Sequence, residues 1–369
     1  MISREGTFGT FEAVCLTVIV MMTKIFYTSI SLTIKSEGTS GWYGTIISCL
    51  LSLVFFSLIY LLMKRFPGMD ITQIFETVLG KVFGKILTLC FAAYGLFSAS
   101  ANLREFIEMI KIYNLPYTPP SILIFGFIAV CAIVAYTGLE CLARMASIFL
   151  VPVLIGILLI LVLASPYYNI DYLKPYLGYG FMQTLKTGVL RSSAYDEVFI
   201  LTIIITSLHN LKSFKKAGYF SILISGAIFS VTIVCNIMAF MYNAGSENIS
   251  GLFELSRAIY FNRFVQRLES VFLFTWVISS LLAVSLIFYI SMNLYSKAFN
   301  IPNHRPMIYP FCFLLFMVAL IPKNISEVIL SEIHFIRQYS LFFVYLVPII
   351  VLLIAVILRK RGGADVKGG

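Results

Sequence analysis

Charged residues are scarce in this sequence. They fill only 12% of its 369 positions, where an ordinary globular domain carries about 25%. A chain of this length and so little charge cannot cover a soluble body, so part of its surface must face lipid. Histidine is scarcer still. His209, His304 and His334 are the three present; each sits near a predicted loop, and none has metal-ligand spacing to a partner. There is no C-x-x-C pair. The seven cysteines fall in or beside apolar runs, where cysteine acts as a small buried hydrophobe, so neither a disulfide nor a metal site is expected. The chain also lacks G-x-x-x-x-G-K-[ST], G-x-S-x-G and H-E-x-x-H. Those absences argue against an ATP-driven pump and against the common hydrolases. The expectation is a non-enzyme with no catalytic residue and no cofactor.

What is abundant is apolar. Hydrophobic residues make up 60% of the chain, and the mean hydropathy is +0.94. A helical span needs about 20 mostly apolar residues. Ten runs qualify, at about Phe11–Leu32, Gly41–Met63, Ile86–Tyr113, Pro120–Thr137, Leu142–Ala164, Thr184–Leu208, Ala217–Tyr242, Leu268–Leu294, Met307–Ile321 and Leu341–Leu358. The first run follows a polar start and has no small-residue cleavage site, so it reads as a span rather than a signal peptide. The net charge of +10 lies in short loops between these runs. That pattern suits orientation in a membrane and not nucleic-acid binding. With ten spans both termini share a side, and that side collects about 15 of the 27 Lys and Arg residues, which places the termini in the cytoplasm. Two gaps, Asn243–Arg267 and Ile71–Lys81, are amphipathic enough for surface helices. The segment Glu247–Arg267 is a candidate partner surface.

Ten spans divide into five and five, residues 8–164 and 182–358. An odd number per half inverts the second half in the membrane, as in inverted-repeat transporters. The first span of each half carries a matching polar interruption. In span 1 it is Thr23-Lys24-Ile25-Phe26-Tyr27-Thr28-Ser29; in span 6 it is Arg191-Ser192-Ser193-Ala194-Tyr195-Asp196-Glu197. Broken helices at corresponding positions point to a midplane binding site. Half-helix N-termini attract a carboxylate, and unwound carbonyls attract a cation or ammonium. Small residues at Ser192, Ser193 and Ala194 let a ligand approach the backbone. Two plainer readings stay open: span 6 starts after Tyr195 and the polar run is a loop end, or Lys24 is a structural pair or snorkels to the surface. In span 3, Glu105 and Glu108 share a helical face and Arg104 can reach Glu108. These belong either to a solvated vestibule or, for Glu105, to the substrate path. Trp276, with Ser279 and Ser280, lines the same cavity or packs.

Several ordered segments resemble the spore germinant-receptor B-subunit family, a branch of the amino acid–polyamine–organocation permease superfamily. They are Lys64-Arg65-Phe66-Pro67 with Val78-Leu79-Gly80-Lys81-Val82-Phe83-Gly84-Lys85, then Asn114-Leu115-Pro116-Tyr117-Thr118-Pro119, Gly138-Leu139-Glu140-Cys141-Leu142-Ala143-Arg144, and Arg267-Leu268-Glu269 followed by Trp276. The resemblance implies an all-α integral membrane protein of about ten transmembrane helices with a 5+5 inverted-repeat, LeuT-like permease fold. It implies the spore inner membrane, a complex with an A subunit and a C lipoprotein subunit, and sensing of a nutrient, commonly an amino acid, that triggers germination. The ligand pocket it implies lies among spans 1, 3, 6 and 8. The residues expected there are Lys24, Tyr27, Thr28, Ser29, Glu105, Ser192, Ser193, Ala194, Tyr195, Asp196, Glu197 and Trp276. A proton-coupled amino acid permease and a non-binding assembly scaffold are the rival functions.

Overall fold

The computed structural model describes residues 6–260 and 268–362. Arg267, in the motif before span 8 and at the end of the expected partner surface, lies outside the described residues, as do Arg4 and Lys367 among the cytoplasmic charges. Among the described residues the regular structure is helical, and the β-type pairing is an isolated Phe8–Leu208 bridge.

The sixteen α-helices run in order as α1 Thr10–Met22, α2 Ser29–Glu37, α3 Gly41–Arg65, α4 Ile71–Leu79, α5 Lys81–Tyr113, α6 Pro120–Thr137, α7 Leu139–Leu163, α8 Phe181–Leu190, α9 Ile200–Ile203, α10 Leu211–Glu247, α11 Gly251–Ala258, α12 Glu269–Ala298, α13 Ile308–Ala319, α14 Ile325–Glu327, α15 His334–Ser340 and α16 Val347–Ile357. Seven helical stretches are long and apolar enough to cross a membrane by length and composition, and Arg305–Ala319 is a shorter apolar one. Two further crossings are interrupted: α1 with α2 forms span 1, and α8 with α9 forms span 6. The total is about ten. Large apolar side chains such as Phe125, Ile155 and Leu158 stay exposed, which in a chain this apolar marks a surface that meets lipid.

The termini of the elements follow local chemistry. Asp70 caps α4 by accepting from the Thr72 and Gln73 amides, and Gln73 reciprocates to the Asp70 amide, a capping box. The two amphipathic gaps are indeed helical, as α4 and α11. The largest departure from the sequence reading is span 10. The apolar run begins at Leu341, yet the helical stretch begins at Ile325. Its first half carries Ser331, Glu332, His334, Arg337, Gln338 and Ser340, and two stretches, Val328–Ile333 and Leu341–Leu346, are wound as π-helix. Hydropathy finds helices that face lipid, whereas one side of this half lines a cavity through Ile333, His334, Arg337 and Gln338 while Leu330, Phe335 and Tyr339 stay exposed.

Inside the bundle α12 packs on α5 and α7, while α10 packs on α1, α2 and α3. The α3–α10 crossing is close because of Gly218: a Cβ built there would lie 1.9 Å from the Phe56 ring. Phe56 is fully buried against Phe214 and Tyr219, so it has nowhere to retreat. Gly218→Ala is expected to lower the stability of the detergent-solubilised protein by about 1–3 kcal/mol, read as a lower melting temperature; an unchanged melting temperature would disprove this close crossing.

Candidate functional site

Span 1 stops being α-helical at Met22. Residues Thr23–Phe26 form a short 3-10 turn, and Tyr27 is extended (φ −95°, ψ −158°). The chain re-enters a helix at α2 with Thr28 as its N-cap. Thr23 hydroxyl bonds turn back to the Ile19 carbonyl and across to the Ser279 carbonyl, which fixes the end of α1. Span 6 behaves alike. After α8 the segment Arg191–Phe199 is wound as 3-10 helix, with Tyr195 at φ −114°, ψ 16°. The expected interruptions fall where the sequence placed them, and the loop-end alternative for span 6 is not what folds, since α8 precedes the break.

In a bilayer no carbonyl at such a break can be left bare. Four consecutive carbonyls accept from side chains of other spans. The Ser52 hydroxyl donates to the Ser192 carbonyl at 3.3 Å. The Lys24 ammonium donates to the Ser193 and Ala194 carbonyls at 3.1 Å each. The Tyr345 hydroxyl donates to the Tyr195 carbonyl at 2.9 Å. Lys24 also pairs with Asp196 at 2.7 Å and with Glu197 at 2.8 Å. Its three N–H groups are thus shared among four acceptors. Asp196 takes two further bonds, from the Ser340 hydroxyl at 2.6 Å and the Tyr94 hydroxyl at 3.2 Å. Lys24 is therefore a pair-forming residue in the interior and does not snorkel.

The break in span 1 is closed in the same way with the opposite charge. Glu105, buried on α5, accepts from the Thr28 amide at 3.1 Å and from the Thr28 hydroxyl at 2.6 Å. A carboxylate beside the N-terminus of α2 meets the positive end of the helix.

Beside these clusters lies a cavity of about 420 Å³. Of the residues expected at the ligand site, Lys24, Tyr27, Ser29, Glu105, Ser193, Ala194, Asp196 and Glu197 line it. Thr28, Ser192, Tyr195 and Trp276 are buried beside it and do not form its wall. Trp276 packs, with ring centroids 4.7 Å from Phe106, 5.4 Å from Phe272 and 6.5 Å from Tyr27. Ser280 serves the site indirectly, by accepting from the Tyr27 hydroxyl at 2.9 Å. The solvated-vestibule reading of span 3 does not hold either. Arg104 and Glu108 form a buried 2.9 Å pair away from the cavity, while Asn102 and Glu105 from the same helix line it.

The residues the sequence reading missed come chiefly from span 10. Ile333, His334, Arg337 and Gln338 form one wall, and Arg191, ion-paired with Glu37 at 3.8 Å, forms another part. The available signal was the polar run before Leu341, which looked like a loop. A second, smaller cavity of about 60 Å³ lies on the far side of Asp196 and Glu197, lined by Tyr94, Phe199, Ile203 and Leu294. Asp196, Glu197 and Ser98 belong to both walls. No group of His, Cys, Asp and Glu among the described residues is arranged to hold a metal ion.

An all-helical bundle with two broken spans facing each other across a cavity is the architecture of a permease-type membrane protein. The match to known proteins agrees. Residues 7–328 fit the family described as "Spore germination protein" (Spore_permease), and the chain belongs to that family. It is 26% identical over 331 residues to spore germination protein KB of Bacillus subtilis (strain 168), covering 88% of each chain. It is 22% identical over 331 residues to spore germination protein A2 of the same organism, covering 89% of this chain and 90% of the relative. Among solved structures it resembles a nucleobase-cation-symport-1 family transporter in a closed conformation with bromovinylhydantoin bound. The TM-score is 0.71 at 11% identity, covering 97% of this chain and 80% of the other. It also resembles a Na+-coupled sialic acid symporter in a substrate-bound outward-open state, with TM-score 0.64 at 10% identity, covering 94% and 80%. The fold is thus the inverted-repeat permease fold with about ten spans, and the chain is an integral membrane protein.

Removing Lys24 strands two buried carboxylates. Lys24→Met is expected to destabilise the protein by about 3 kcal/mol, read as a lower melting temperature in detergent. Adding Asp196→Asn and Glu197→Gln to the same chain should restore most of the loss. A triple variant no better than Lys24→Met alone would show that the ammonium acts chiefly on the carbonyls.

Proposed function

We propose that this chain is the nutrient-sensing membrane subunit of a spore germinant receptor. The observation that carries the reading is the cavity where the breaks of spans 1 and 6 meet, in a chain of the spore germination protein family. A cavity of this size accommodates a small molecule such as an amino acid, a sugar or a nucleobase. In this reading the ligand binds one arrangement of spans 1, 6 and 10 more tightly than another. That difference shifts the population toward the signalling state. Lys24, Glu105, Asp196 and Glu197 set the charge of the site, and Tyr27, Ser29, Ser193 and Ala194 shape it. Thr28, Ser192, Tyr195 and Trp276 support the wall from behind.

The same reading places the chain in the spore inner membrane with both termini in the cytoplasm. It assembles there with an A subunit and a C lipoprotein subunit, takes an amino acid as its nutrient, and performs no bond chemistry. Its repeat units are residues 8–164 and 182–358. A working proton-coupled permease is the second reading, favoured by the cavities on both sides of the Asp196–Glu197 pair. Uptake of solute by the purified chain in proteoliposomes separates the two.

The test uses spores in which this chain is the sole member of its family. Deleting it should abolish dipicolinate release to one class of nutrient. Ser98→Phe, which intrudes on the shared cavity wall, should raise the half-saturating concentration by about ten-fold or more, equivalent to about 1.4 kcal/mol, with the amount of chain in the membrane unchanged. Release that persists at full rate on every nutrient after deletion overturns the sensing role.

A further inference from the structure

In a site built on two broken helices, a ligand ordinarily meets free backbone N–H groups at one break and free carbonyls at the other. Here the chain already occupies part of each. The Thr28 amide is taken by Glu105, and the Ser193 and Ala194 carbonyls are taken by Lys24. The acids are engaged as well: Asp196 and Glu197 share the Lys24 ammonium, and Asp196 holds two hydroxyls besides. A molecule entering the cavity therefore finds these positions taken and draws on further polar groups of the wall.

Two cationic side chains of the wall remain unbonded among the described residues: Lys35, which is exposed, and Arg337, which is the more enclosed. Arg337, on α15 of span 10, lines the cavity and is half-buried. Among the described residues it makes no hydrogen bond and no ion pair within 4.0 Å. The other cation at this depth, Arg191, is already set against Glu37. Glu105 lies on the wall of the same cavity, within electrostatic reach of Arg337 and bonded twice to Thr28. His334, one turn earlier, and Gln338, the next residue, flank Arg337 on the same wall. A guanidinium presents a planar fork of N–H donors whose natural complement is a carboxylate, gripped through two parallel bonds.

We propose that Arg337 is the carboxylate-binding residue of this cavity, and that the ligand is a small molecule bearing a free carboxylate, held from span 10 while the broken ends of spans 1 and 6 stay occupied by Glu105 and Lys24. The proposal rests on the sensing reading and assigns the nutrient's carboxylate to one residue of this chain. It assigns specificity to the span whose polar half hydropathy alone did not show.

The experiment uses the same spores with this chain as sole family member, scored for dipicolinate release on the twenty L-amino acids, glucose, fructose and inosine. The effective compound is then compared with its carboxamide in spores carrying the unaltered chain, Arg337→Gln or Arg337→Lys, with membrane levels of each chain measured by immunoblot. The expected result is a response to a carboxylate. Arg337→Gln should raise its half-saturating concentration by about ten- to a hundred-fold, the loss of one charge-assisted pair, while the response to the carboxamide hardly moves. Arg337→Lys, which keeps the charge and loses the fork, should fall between. A response confined to glucose, fructose or inosine overturns the carboxylate class and leaves the sensing reading standing. Equal shifts for acid and carboxamide in Arg337→Gln at normal chain levels overturn the role of Arg337. No response to any of these compounds overturns the sensing reading and the proposal together.

Discussion

The ammonium group of Lys24 is the point on which the interior of this protein depends. Burying a lone ammonium costs several kcal/mol, and burying two neighbouring carboxylates costs more. Unwinding a helix inside a bilayer also leaves carbonyls that lipid cannot satisfy. Each of these would be prohibitive alone. Together they cancel, because the Ser193 and Ala194 carbonyls and the Asp196 and Glu197 carboxylates all point at one cation. Span 6 can therefore break only if span 1 breaks beside it. The Glu105–Thr28 contact does the reciprocal task at the positive end of α2. The cavity is what remains between two interruptions that stabilise each other.

Much of this was legible in the sequence, and the parts that were not share a cause. Long apolar runs and the polar breaks at Lys24 and Asp196 are local signals, so the spans and their interruptions could be read directly. The partners of those breaks lie far off in the chain: Glu105 is 77 residues from Thr28, and Asp196 is 172 from Lys24. Pattern alone says that such groups need partners and not which ones they find. Trp276 looked like a cavity wall because it sits among serines, yet packing against Phe106 and Phe272 claims it. The first half of span 10 was misread for the opposite reason. Its polar residues suggested a loop, when they are the lining of an interior surface.

The resemblance to two transporters at 10 and 11% identity shows how little of the fold resides in particular side chains. What persists is the arrangement: broken spans crossing at the middle, long helices such as α5, α10 and α12 around them, and short surface helices at the ends. Within that frame the site is free to change. Filling the broken ends with Lys24 and Glu105 hands recognition to whatever wall remains.

The π-wound turns of span 10 bear on how such a wall changes over time. A π turn is an α-helix that has absorbed an extra residue without coming apart. Because successive residues on a helix are about 100° apart, each gain or loss of one residue turns everything beyond it to a new compass point. At Val328–Ile333 and Leu341–Leu346 the chain has two such joints, one on either side of Arg337. A single codon inserted or deleted at the first joint would swing Arg337 away from the cavity and bring its neighbours round in its place. Span 10 can thus acquire a new set of cavity-facing groups through a change in length, with no residue on any other wall replaced.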